Sequence, residues 1–335
     1  MAKMSDTGDS SPGDLLAEEE FSPLGGRVLQ LHESPSRSPA HRNAINIAVD
    51  RRGEAADLDL DQFDALVTSR ADARDPWIVV PEDRLDQQLG AIQRNARAAP
   101  MAASVLGRLL RVTEKLDVQY ALEVESMAYS MLLGGREFLH WLERPRSDKA
   151  VIQDTPPVRY ERDNDTVTLT LASPGNRNAM TAAMRDALFE ALVNVLEDPS
   201  APRLVLNGEG RCFSVGGYLP EFGTARDLAG AHVVRTLRSC ARILHLLGER
   251  AEVRVHGACI GSGIEIAAAA GRRVAAPDAF VQLPEVSMGL IPGAGGTVTI
   301  SRAIGRHRTF WMALGGFRIN AAEALKWGLF HAITP

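Results

Sequence analysis

Cysteine is scarce in this chain. Cys212, Cys240 and Cys259 are the only three in 335 residues, and no two form a CxxC pair. An odd, scattered set argues against both a disulfide framework and a thiolate metal site, and fits a reducing compartment. The eight histidines form no HExxH or HxH arrangement, so no metal site is expected. No uncharged apolar run is long enough to span a bilayer. Positive charge is not in excess either: a net charge of −5 gives no general field for nucleic acid. A GxxxxGK[ST] phosphate loop and a GxSxG nucleophile elbow are both missing. These absences predict a cytoplasmic protein with no membrane and no nucleic-acid partner.

What is present is ordinary globular material. Apolar residues make up 45% of the chain, enough for a full core, and the length allows about two domains. Residues 1–24 are polar, acidic and Ser/Gly-rich and read as a disordered tail. Residues 25–80 form an extension of unknown role, with short strands expected at Val28–Leu31, Ile45–Val49 and Trp77–Val80. Residues 81–148 read as a helical subdomain. Leu85, Leu89, Ile92 and Ala96 recur at helical spacing, Val105, Leu109, Val112 and Leu116 continue the pattern after Pro100, and Val118, Leu122, Val124, Met127 and Met131 mark a further helix. Phe138–Leu142 completes the set.

From residue 149 to 335 the pattern turns to alternating strands and helices. Strands are expected at Val158–Tyr160, Val167–Leu171, Leu204–Leu206, Val253–Val255 and Arg273–Ala275. Helices are expected at Thr181–Leu196, with Thr181 as cap, at Ala231–Leu247 and at Ile264–Ala270. The alternation predicts an α/β sheet of parallel type.

The most informative stretch is Val253–Gly296, VRVHGACIGSGIEIAAAAGRRVAAPDAFVQLPEVSMGLIPGAGG. A short strand enters a Gly-rich turn and a helix opens directly after it. Free N–H groups at such a helix start can stabilise an oxygen that gains negative charge. Alone, Gly257-x-x-x-Gly261-x-Gly263 equally fits the nucleotide loop of short-chain dehydrogenases. That alternative needs Tyr-x-x-x-Lys downstream, and none of the four tyrosines has Lys four residues on.

The run resembles the crotonase (enoyl-CoA hydratase/isomerase) signature: H-G-x-x-x-G-x-G-x-E, then A-x-x-x-A-x-F, then P-E-x-x-x-G-x-x-P-G-x-G-G. SPGNRNAMTAAM, GEGRCFSVGGYLPEF and GGFRINAAEALKWGLFHAITP resemble further family segments in the same order. The family's C-terminal helical region would follow Pro335. Residues 81–145 resemble it instead, through PEDRLDQQLGAIQRNARAAP and ALEVESMAYSMLLGGREFLHWLERP. The resemblance therefore implies an α/β fold with a crotonase-like ββα spiral core and a helical subdomain placed N-terminally, as in a circular permutation.

By that resemblance, the backbone N–H groups of Gly217 and Ser262 would hold the thioester oxygen of an enolate. Glu265 would hold and activate water, and Glu285 would protonate Cα. The bland alternatives are a helix-dipole role for Glu265 and a solvated loop charge for Glu285. Arg177, Asn178 and Ala179 resemble the loop at the coenzyme A entrance, Ser214 and Val215 the adenine contacts, and Arg144 a phosphate contact. His256, Trp311 and Trp327 read as structural. Coenzyme A enters only as part of the substrate, with no prosthetic group. The resemblance implies an acyl-CoA or acyl-carrier-protein thioester as partner and a homotrimer or homohexamer as assembly. Tyr218 and Gly271 depart from the common Asp at their positions, which leaves the acyl substrate open. Isomerisation, decarboxylation, hydrolysis and non-catalytic thioester binding stand beside hydration.

Overall fold

Four short runs near the N-terminus pair side by side. In the computed structural model, which describes residues 19–33, 43–55, 58–145 and 156–334, they are β1 (Leu29–Glu33), β2 (Ile45–Asp50), β3 (Ala65–Thr68) and β4 (Ile78–Val79). All three pairings are parallel, in the order β1-β2-β3-β4. β2 and β3 are buried along their whole lengths, as strands covered on both faces must be. Most of the expected tail, and the boundary at 148, lie outside the described residues. Within the part of the tail that is described, the Ser22 hydroxyl accepts the N–H groups of Leu24 and Gly25.

Four helices follow: α1 (Glu82–Ala98), α2 (Pro100–Thr113), α3 (Val118–Leu133) and α4 (Arg136–Leu142). Pro100 opens α2, where its missing N–H costs nothing. In α1 the expected stripe of Leu85, Leu89, Ile92 and Ala96 is the buried one. In α3 only part of the expected stripe is, with Leu122 buried and Val124 packed against the core. Met127 and Met131 face out, at 54% and 60% exposed. The buried side of α3 carries Ala121, Leu122, Glu125, Ser126 and Leu132. Apolar periodicity misplaced this face because its inward residues include a carboxylate and a hydroxyl.

The remaining elements are β5 (Val158–Asp163), β6 (Thr166–Leu171), α5 (Ala182–Glu197), β7 (Arg203–Gly208), α6 (Leu228–Leu237), α7 (Cys240–Leu247), β8 (Ala251–Val255), β9 (Ala258–Ile260), α8 (Ser262–Ala267), β10 (Arg272–Ala275), β11 (Phe280–Gln282), α9 (Gly296–Ile304), α10 (Arg306–Gly315), β12 (Ile319–Asn320), α11 (Ala321–Lys326) and β13 (Ala332–Ile333). A six-stranded sheet runs β13-β10-β8-β7-β6-β5, parallel except for the β5–β6 hairpin. A three-stranded sheet runs β12-β11-β9. The Thr181 hydroxyl caps α5 by accepting Met184 N–H, as expected. The single helix expected over Ala231–Leu247 is two. Ser239 ends the first by capping the second, its side chain accepting Arg242 N–H.

One apolar core joins all three regions. It runs from Val28, Ile47 and Val67 through Leu85, Leu106 and Phe138 to Val253, Leu283, Trp311 and Phe330. Polar clamps tie the four-stranded sheet to the rest. Buried Asp64 takes Asn46 N–H at 2.8 Å and both Nε and Nη2 of Arg111 on α2, at 3.0 and 2.8 Å. Arg306 on α10 donates to the carbonyl of Phe63 at 2.7 Å. Burial alone raises the Asp64 carboxyl pKa, and Arg111 and the Asn46 amide oppose it. Asp64→Ala strands a half-buried guanidinium and a buried N–H, so we expect a loss of about 3 kcal/mol, read as a lower midpoint in urea unfolding.

Candidate active site

Two glycine turns bring the expected amides together. The segment from Phe213 to Gly216 runs beside β9: Phe213 N–H donates to His256 O, Ser214 N–H to Ala258 O and Ile260 N–H to Ser214 O. Gly216, at φ +87°, lies so close that a Cβ there would sit 2.8 Å from the Ile260 carbonyl oxygen and 3.5 Å from Gly261 Cα. Gly261, at φ +50°, then turns the chain into α8. The residues after these glycines are Gly217 and Ser262. Neither of their N–H groups donates to another group among the described residues. Ser262 is not among the residues with positive φ. A serine in this position therefore carries no left-handed strain.

Glu265 sits in the first turn of α8 and is buried. Its Oε2 accepts Ala294 N–H at 2.7 Å and Gly296 N–H at 3.0 Å. Glu285 is not a solvated loop charge. It opens a 3-10 turn, Glu285–Met288, and is buried. Its Oε1 lies where a Cβ on Gly261 would meet it at 2.7 Å, so it rests against the turn leading into Ser262. Its Oε2 is buried with no hydrogen-bond partner. Burial raises the Glu265 pKa to about 7 against the pull of the loop amides. Burial, then the nearby Glu265 charge, raises Glu285 well above the usual carboxylate range. Two carboxyls that resist ionisation together suit a donor and an acceptor of protons.

A third carboxyl joins them, and the sequence reading gave it no role. Glu125 projects from the buried side of α3. Its Oε1 accepts Gly295 N–H at 2.7 Å, and its Oε2 accepts Thr297 N–H at 2.9 Å and Thr297 Oγ1–H at 2.6 Å. Burial, then the Glu265 charge, lifts its pKa to about 8. Tyr129, one turn on, presses its ring against Gly293. The signal for Glu125 was in the run ALEVESM: one Glu at helical spacing from Ala121 and Leu122.

A cavity of about 400 Å³ opens beside this centre. Tyr129, Phe138, Met180, Tyr218, Phe222 and Arg235 are among the residues that line it. The Arg235 guanidinium lies 4.7 Å from the Tyr129 ring centroid and donates to Ser126 Oγ at 3.0 Å and to Ser130 Oγ.

The residues expected at the coenzyme A entrance sit in several environments. Arg177 is exposed, at φ +60°, with its carbonyl accepting Val215 N–H. The Asn178 side chain is wholly engaged inside the protein. It accepts Ser173 N–H and donates to the carbonyls of Glu209, Cys212 and Phe213. Ala179 and Ser214 are buried, and Ser214 Oγ donates to Asn178 O. Val215 is half-buried beside them, and Arg144 is exposed at the end of α4. His256 donates through Nε2 to Gly210 O, and Trp311 and Trp327 lie in the core, the structural roles expected of them. Among the described residues no group of His, Cys, Asp and Glu could hold a metal ion, and no helix is long and apolar enough to cross a membrane.

Comparison with known proteins bears on this arrangement. The chain is 32% identical over 178 residues to a peroxisomal bifunctional enzyme of Danio rerio, covering 53% of this chain but 24% of that one. It thus spans about a quarter of the first relatives it matches. It is 32% identical to a 2,3-dehydroadipyl-CoA hydratase of Escherichia coli (strain K12), covering 52% of this chain and 68% of that one. Among solved structures, an enoyl-CoA hydratase of Thermoplasma volcanium matches 54% of this chain and 72% of its own at a TM-score of 0.50 and 28% identity. The enoyl-CoA hydratase/isomerase family model matches residues 161–335, which hold both glycine turns, Glu265 and Glu285. Turns, carboxyls and matched span coincide, and the chain belongs to the enoyl-CoA hydratase/isomerase family, the crotonases.

Proposed function

We propose that this protein adds water to a 2-enoyl thioester, or removes it from the 3-hydroxyacyl thioester, through an enolate. The observation that carries this reading is the pairing of Glu265 with Glu285. Both are buried, one is held by two amides and the other has an unpartnered oxygen, and both lie by the turns that carry Gly217 and Ser262. In the hydration direction, ionised Glu265 takes a proton from water as the water oxygen bonds to Cβ. The C=C pair moves to Cα and the thioester C=O, and the enolate oxygen accepts the N–H groups of Gly217 and Ser262. Protonated Glu285 delivers its proton to Cα. Proton exchange between the two carboxyls restores the resting state.

A second reading, double-bond isomerisation, is favoured by one feature. Glu285 has a buried oxygen with no hydrogen-bond partner, and one mobile carboxyl suffices to carry a proton between Cα and Cγ. A relative named trans-2-decenoyl-[acyl-carrier-protein] isomerase, from Streptococcus mutans, is 29% identical over 184 residues. Acyl-CoA and acyl-carrier-protein thioesters are both within this proposal. So is the reading of residues 81–145 as the family's closing helices moved ahead of the core, supported by the bonds Glu125 makes to Gly295 and Thr297.

Three outcomes are expected. With crotonyl-CoA, 3-hydroxybutyryl-CoA forms, and Glu265→Gln and Glu285→Gln each lower kcat by about 10²–10⁴-fold. Product that is a shifted enoyl-CoA, or wild-type turnover by both variants, sinks the hydratase reading. Ser262→Pro removes one amide donor at a helix position that tolerates proline. We expect kcat to fall about 10²–10³-fold, while Ser262→Ala, which keeps the N–H, stays near wild type.

The third outcome concerns stability. The folded-state pKa of Glu285 lies above its unfolded value, so its contribution is intact at low pH and is lost as pH rises through the folded value. Glu285→Gln is neutral at every pH. It should therefore melt above wild type at pH 8, with the difference closing by pH 4. Parallel melting curves across that range would contradict a buried, charge-resistant Glu285.

A further inference from the structure

The start of α9 presents four successive N–H groups, and their partners alternate. Ala294 and Gly296 donate to Glu265, from α8. Gly295 and Thr297 donate to Glu125, from α3. Gly295, the cap residue, sits at φ +112° and offers no side-chain cap of its own. Two remote carboxylates therefore do the capping, one on each side of the same four-residue ribbon. Glycine is required there: a Cβ on Gly296 would stand 2.6 Å from Glu265 Cγ, and one on Gly295 2.8 Å from Ala241 Cβ.

We propose that Glu125 is a positioning residue for Glu265, because it grips the alternate amides of the ribbon that holds the Glu265 carboxylate. The proposal rests on the reading of Glu265 given above. If Glu125 lets go, Gly295 and Thr297 are free to turn, and the Ala294 and Gly296 amides turn with them. Glu265 then loses the two bonds that aim its remaining oxygen. Glu125 lies outside the 161–335 span matched to the family. The helical region that precedes the core thus supplies part of the core's working geometry. The Thr297 hydroxyl, buried and donating at 2.6 Å, is a third grip on the same carboxylate.

Other titratable and charged groups face this pair. Glu265 faces Glu125 across the ribbon. Glu285 and Tyr129 lie within electrostatic reach of it. On the opposite side Arg235 and Arg185 border the small cavity that Glu125 also lines.

The test uses the full chain with crotonyl-CoA as probe, in a cycle of Glu125→Gln, Glu265→Gln and the double variant. An amide at 125 keeps the volume but cannot accept on both oxygens. We expect Glu125→Gln to lower kcat by about 10²-fold with KM near wild type, and to add little once Glu265 is already Gln. Thr297→Val, which removes one grip, should lose less, and Glu125→Asp should recover part of the loss. An equal loss in both backgrounds would mean a general structural role and overturn the proposal, as would full turnover by Glu125→Gln. Full turnover by Glu265→Gln instead sinks the reading of the site. If Glu125→Gln does not fold, Thr297→Val replaces it in the cycle. If crotonyl-CoA is not turned over, urea unfolding of the four proteins at pH 8 decides. Non-additive midpoints support the coupling, and additive ones refute it.

Discussion

Three carboxyl groups are buried within one region of an otherwise apolar core, and that placement constrains much around it. A carboxylate taken out of water must find donors or stay protonated. The fold supplies donors from one place, the opening of α9, where a helix start leaves its N–H groups without internal partners. Glu265 and Glu125 divide those donors between them, and Glu285 receives none on its inner oxygen. The environments of Glu265 and Glu285 therefore differ although their residue type is the same. The proposed division into an acceptor and a donor of protons rests on that difference.

The same constraint explains why the chain's three regions cannot be treated as separable pieces. Glu125 reaches the core from α3. Asn95 on α1 donates to the carbonyls of Leu314 and Gly315 at the end of α10. Arg306 and Arg308 on α10 reach back to Phe63 and to Asp75 near the four-stranded sheet. The ends of helices and strands, where backbone groups lack partners, are where the regions meet. Apolar contact gives the interface its area, while these polar ties fix which end meets which.

Much of this was legible in the sequence, for identifiable reasons. The core strands and the α1 stripe follow strong periodic patterns, and Thr181 is a good cap beside an amphipathic run. The glycine spacing around Gly261 and the two family glutamates are carried by motif, since only glycine fits where Gly216 and Gly261 nearly touch. Two of the misses share a cause, which is polar residues doing interior work. Glu125 and Ser126 point inward while Met127 and Met131 point out, so hydrophobicity misreads the face of α3. Ser239 breaks what looks like one helix because its side chain prefers a backbone N–H to solvent. The strand Ala65–Thr68 is too short to show a period, and it becomes a strand through its parallel neighbours.

One departure from the family pattern lies on the cavity beside the centre. Tyr218 stands where an acidic residue is common. It lines the same cavity as Tyr129 and Arg235. Tyr129 takes its place from α3, the element that also delivers Glu125, and its hydroxyl pKa is pushed upward by burial, so it stays a neutral donor. Arg235 is desolvated, with two serine hydroxyls and an aromatic face for neighbours. The chemical pair and the two amide turns thus come from the part of the chain that matches the family. The wall of the neighbouring cavity is shared with α3, which precedes that part. A change in α3 therefore reaches both the cavity wall and, through Glu125, the ribbon whose amides hold Glu265.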